Sequence, residues 1–94
     1  MHPLIETNRE ALRALARRRG MVDVKVFGSM ARGDARDDSD VDLLVTLMPG
    51  TSGLALGGLL LDAQELLGRR VDIVTEQGLY PALRDRVLSE AVPL

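Results

Sequence analysis

The segment GSMARGDARDDSDVDLLV, Gly28 to Val45, decides how this chain folds. Just before it, Val22, Val24 and Val26 alternate with Asp23, Lys25 and Phe27, a period-two pattern that predicts a strand ending at Gly28-Ser29. A short helical turn is expected around Met30 to Gly33, and the polar stretch Asp34 to Ser39 reads as a loop. A second strand follows, roughly Asp40 to Leu47, closed by Pro49-Gly50.

Outward from this segment the rest alternates helix and strand. Towards the N-terminus, Leu4, Ile5, Leu12, Leu15 and Ala16 fall on one helical face, with Pro3 suited to the first turn and Gly20 to the stop. Arg17, Arg18 and Arg19 then complement the dipole of the last turn, with phosphate binding as the alternative role. His2 is expected to be mobile, as chain ends usually are. Towards the C-terminus, Thr51 or Ser52 is a candidate cap for a helix burying Leu56, Leu59, Leu60, Ala63, Leu66 and Leu67. Gly57 and Gly58 weaken its start and Gly68 ends it. Val71 to Thr75 is a third strand, and Tyr80 to Glu90 a last amphipathic helix carrying Leu83, Val87 and Leu88. The fold class is α/β, a small sheet with helices packed on it, and residues 1–94 read as one domain.

Composition narrows the chemistry. Only Phe27 and Tyr80 are aromatic, so base-stacking platforms are not expected, and a formal charge of -2 argues against direct nucleic-acid binding. Cysteine is absent and His2 is the only histidine, so a metal site has to be built from carboxylates, which favours hard cations such as Mg²⁺ or Mn²⁺. The longest apolar-rich run, Leu54 to Leu61, is broken by glycine and too short to span a bilayer. No membrane association and a cytoplasmic location are the expectations.

Asp40 and Asp42 are two apart in a strand and project to one face, while Val41, Leu43 and Val45 project to the other. Paired carboxylates repel, and one tends to stay protonated unless a cation lies between them. Asp72, between Val71 and Ile73, completes a three-carboxylate cluster if its strand neighbours the second. Such a cluster suits in-line displacement at phosphorus with two metal ions. Gly28 lets backbone approach a phosphate, and Ser29 can donate a further hydrogen bond to it.

Gly28-Ser29, ten residues, then Asp40-Val41-Asp42 resembles the signature of the DNA polymerase β-like nucleotidyltransferases. The longer phrase to Val45, with LGRRVDIVT (Leu67 to Thr75) and the tail from Tyr80 to EAVPL, is similar to the minimal nucleotidyltransferases, MNT proteins, over nearly the whole chain. The resemblance implies a small mixed sheet of the polymerase β palm-like kind. It implies that Asp40, Asp42 and Asp72 are the catalytic ligands of two Mg²⁺ ions, with Mn²⁺ as an alternative, and that Gly28 and Ser29 contact the nucleotide triphosphate. Arg32 belongs to the family's Ala-Arg-Gly segment and either meets phosphate or makes a structural ion pair. Met30 stands where the family varies, which points to substrate contacts, and Arg36 is a phosphate or partner contact or a solvated side chain. Asp72 is the favoured base, on the acceptor side. By the same resemblance the chain transfers AMP from ATP to a tyrosine of a partner HEPN-domain toxin and acts as its antitoxin. The competing readings are an antitoxin that only occludes the toxin, and the catalytic subunit of a small-molecule nucleotidyltransferase. Homo- and hetero-oligomers both stay open.

Overall fold

In Val41–Leu47 every second side chain is a branched aliphatic, and the strand is buried on that face by two helices. A computed structural model describes residues 1–94. The first helix, α1 (Pro3–Arg18), turns Ile5, Leu12 and Ala16 inward. It leads into β1 (Met21–Phe27), the five-residue helix α2 (Gly28–Arg32) and β2 (Val41–Leu47). Helix α3 (Ala55–Leu67) and strand β3 (Val71–Thr75) follow, then α4 (Pro81–Glu90) and the two-residue β4 (Val92–Pro93).

The sheet order is β3-β2-β1-β4. Strands β1 and β2 run antiparallel, as do β1 and β4. Strand β3 is parallel to β2, because the connection through α3 carries the chain back to the starting end of the sheet. The sheet is therefore mixed, as expected. Helices α1 and α3 touch each other and lie on one face of the sheet. There Ile5, Val26, Val41, Leu43, Leu59 and Ala63 are all within 1% of complete burial. Each of the larger ones contributes about 1.5–3 kcal/mol over its exposed state, so this face holds the fold. The opposite face of β2 carries Asp42, and α4, packed against α2, lines a cleft beside it.

Several expectations are corrected. Met21 is buried and Val22 is 60% exposed, because the pairing with β2 is irregular between Met21 and Asp23 and shifts the alternation. His2 is not loose: its Nδ1 accepts the Leu4 N–H at 3.0 Å and its own N–H donates to the Met30 carbonyl at 2.9 Å, capping α1. Neither Thr51 nor Ser52 caps α3, whose N-cap is Leu54. Ser52 Oγ accepts the Leu54 N–H, and Thr51 Oγ1 donates to the Gly20 carbonyl at 3.2 Å, holding the β2–α3 turn against the end of α1. Arg19 also bridges helices, binding Asp62 of α3 through Nε at 2.8 Å and Nη2 at 3.2 Å, on the face remote from Asp42. In α4 only Val87 is buried, and Leu83 is 49% exposed. Met30 is fully buried and joins the core, so it has no substrate contact to make.

Candidate active site

Strand β1 ends where β2 begins, and β2 begins level with β3. Phe27 is paired with Asp42, and Asp42 with Asp72. Neighbouring residues in register point to the same side of a sheet, so Asp42 and Asp72 share one face. Asp40, one residue before β2, belongs to the same alternation. The loop that delivers it is tied down: Ser39 Oγ accepts the Arg36 N–H at 2.7 Å, and Arg69 Nη1 donates to the Arg36 carbonyl at 3.0 Å. Arg36 itself is exposed.

Electrostatics set Asp42 apart. Partial burial, then the charges of Asp72 and Asp40, raise its carboxyl pKa above the ordinary value; Arg32 works against this and Glu90 adds to it. Asp40 is half-turned towards Arg70, whose Nε stands 3.7 Å from Oδ1. The backbone thus brings the three acids together, but no three acidic side chains yet surround a single point closely enough to ligate an ion. The donor set is nevertheless what a hard divalent cation takes: carboxylates only, one of them partly desolvated beside two others.

Gly28 sits against this cluster in the left-handed region, at φ +70°, and a Cβ on it would run into the Asp42 carboxylate. Backbone conformation requires glycine here, and a side chain would in addition push the Asp42 carboxylate aside. Its N–H donates to Glu90 Oε1 at 3.0 Å. Glu90 also accepts from Arg32 Nη1 at 3.2 and 3.3 Å, while Arg32 Nε donates to Asp34 at 3.2 Å. Arg32 therefore makes ion pairs with acids, one of the two roles the sequence left open for it. A cleft of about 340 Å³ opens here, lined among others by Gly28, Ser29, Arg32, Asp42, Arg86 and Glu90.

Sequence reasoning missed Glu90 and Arg86. They are four apart on α4 and so share a helical face, the only signal available, but nothing local says that this face lines the cleft beside Asp42.

The sequence profile of the nucleotidyltransferase domain family matches residues 8–94. The chain is 41% identical over 78 residues to protein adenylyltransferase MntA of Thermococcus cleftensis, covering 83% of this chain and 79% of that one. A solved structure provisionally named a minimal nucleotidyltransferase superposes with a TM-score of 0.87 at 52% identity, covering 100% of this chain and 97% of the other. The MNT antitoxin solved in complex with a tri-AMPylated HEPN toxin of Shewanella oneidensis shares the fold, with a TM-score of 0.71 at 19% identity over 94% of this chain and 69% of that one. Fold, motif and relatives agree, and the chain belongs to the nucleotidyltransferase domain family.

Proposed function

We propose that this nucleotidyltransferase moves AMP from ATP to a tyrosine hydroxyl of a HEPN-domain toxin and thereby acts as its antitoxin. The observation that carries the reading is the Asp42–Asp72 register beside a left-handed glycine on which a Cβ would displace the Asp42 carboxylate. In the reaction the acceptor oxygen bonds to the α-phosphorus, the bond to the β-phosphate breaks, and pyrophosphate leaves.

Asp40, Asp42 and Asp72 are the residues that would hold divalent cations, two Mg²⁺ ions or Mn²⁺ in their place. Bound there, they would neutralise phosphate charge and activate the attacking oxygen. The chain's own residues do the rest. Gly28 N–H, Ser29 and Arg32 orient the triphosphate, so that the reacting atoms are held in line. Asp72, the most exposed of the three acids, is suited to take the acceptor's proton. Support for a protein acceptor comes from α4, where Leu83 is 49% exposed on the cleft wall and Tyr80 is 75% exposed one turn before it. The names of the relatives support the same substrate class.

The test is incubation with labelled ATP, Mg²⁺ and the helical toxin expected from the neighbouring reading frame, followed by intact mass. Addition of AMP to the toxin by the wild type, and none by Asp40→Asn/Asp42→Asn, is the expected result. Equal labelling by both proteins overturns it. A toxin silenced without any mass gain by either protein identifies the occluding antitoxin instead.

A further inference from the structure

Gly28 N–H and Arg32 are the donors that a triphosphate in this cleft would use, and both are already engaged by one carboxylate, that of Glu90. An N–H of this kind serves one strong acceptor at a time, and a carboxylate held at 3.0 Å from it leaves no room for a phosphate oxygen. Arg32 is similarly committed, with Asp34 on its Nε side and Glu90 on Nη1. A nucleotide's phosphates would also meet the full negative charge of Glu90 at close range.

The seat that Glu90 takes is not a deep one. Its side chain is 22% exposed, and it is the last residue of α4, where the helix dipole disfavours an anion. Arg86 lines the same cleft one helical turn back, on the same face of α4, and pairs with no acidic group. A cation without a partner therefore lies within reach of a carboxylate that a nucleotide would have to move.

We infer that Glu90 is a built-in competitor of phosphate: it occupies Gly28 N–H and Arg32, and yields them to an incoming triphosphate by turning to Arg86. The inference rests on the reading of this cleft as a nucleotide site. Glu90 is a positioning residue in this scheme. It holds Arg32 and the Gly28 backbone until a triphosphate arrives, does not touch the reacting atoms, and sets how tightly phosphates are held.

The test uses the full chain with Mg²⁺ and AMP-PNP, which reports binding without turnover, and adenosine as a phosphate-free probe. Glu90→Gln keeps an oxygen for Gly28 N–H and removes the charge. AMP-PNP is expected to bind E90Q about fivefold more tightly than wild type, the scale of one partly exposed charge contact, with adenosine unchanged. Arg86→Gln is expected to weaken AMP-PNP more in the wild-type background than in E90Q, because only there does the carboxylate need its second seat. Equal or weaker AMP-PNP binding by E90Q overturns the inference while leaving the nucleotide site standing, and so does an equal effect of Arg86→Gln in the two backgrounds. If neither wild type nor E90Q binds AMP-PNP, the nucleotide reading falls and this inference with it.

Discussion

Asp42 in β2 and Asp72 in β3 are register partners across a parallel pair of strands, with Phe27 of β1 on the other side of Asp42. Hydrogen-bonded strands lie about 4.8 Å apart, so the two carboxylates are held near each other by backbone pairing and not by any attraction between themselves. Their repulsion is part of the fold. It contributes to the raised pKa of Asp42, after burial and before Asp40.

That repulsion has a thermodynamic sign. A carboxyl whose pKa is higher in the folded chain than in the unfolded one binds its proton more tightly when folded. Its favourable contribution is present below the unfolded pKa and is lost as pH rises through the folded value. Without divalent cation, the contribution of Asp42 should therefore fall as pH is raised through the carboxylate range, opposite in sign to that of Asp62 beside Arg19, and Asp42→Asn should remove that fall. At neutral pH the substitution should raise Tm by a few degrees, on the order of 2–4 °C. Added Mg²⁺ should raise Tm for wild type and not for Asp42→Asn. Thermal melts at several pH values, with and without Mg²⁺, measure both effects.

Gly28→Ala should be costly in two ways, through a φ of +70° and through collision with the Asp42 carboxylate. Together these should cost about 2–4 kcal/mol, measurable as a lower urea midpoint with unchanged slope. Gly33→Ala shares a positive φ, but a Cβ there would meet nothing within 4 Å. Its loss should be clearly smaller, about 1 kcal/mol.

Much of this was legible beforehand, for reasons that differ by element. Val41, Leu43 and Val45 alternate with acids at the start of β2, so that strand's two faces could be assigned from spacing alone. The sequence left open whether β3 neighbours β2, and Asp72 entered the cluster on that condition and on the resemblance; the parallel pairing of the two strands meets the condition. What escaped notice depends on partners far along the chain. Glu90 meets Gly28 across 62 positions, and β4 pairs with the middle of β1 through only Lys25 and Val26. Val22 illustrates the limit of periodicity: its valine spacing fits a strand, but the irregular pairing at Met21 sends it to solvent. Met30 stands where the resembled family varies, which pointed to substrate contacts, yet α2 turns it into the core.

Arg70 is 86% exposed and stands 3.7 Å from Asp40, so its removal should hardly change stability, by less than about 0.5 kcal/mol. If Asp40 holds a cation, Arg70 competes with it for the same carboxylate. Arg70→Gln should lower the Mg²⁺ concentration needed for half-maximal stabilisation about twofold, a shift that Mg²⁺ titrations followed by Tm would detect. No change, or a higher requirement, would mean that Arg70 does not compete with a cation at Asp40.

Core packing predicts a separate, larger effect remote from the acids. Leu43 is fully buried, and Leu43→Ala should cost about 2–5 kcal/mol in urea denaturation. Such a loss would also reduce transfer activity, since the same strand carries Asp42.

The central claim is that Asp40, Asp42 and Asp72 close on a common cation, which requires Asp40 to turn from Arg70. The most direct measurement is a crystal structure with Mn²⁺ and AMP-PNP, locating the metal by its anomalous signal. The account predicts metal–oxygen distances of about 2.0–2.3 Å to carboxylate oxygens of all three residues, with phosphate oxygens completing the shell. Metal bound elsewhere, or held at this face while Asp72 stays turned to solvent, would contradict it.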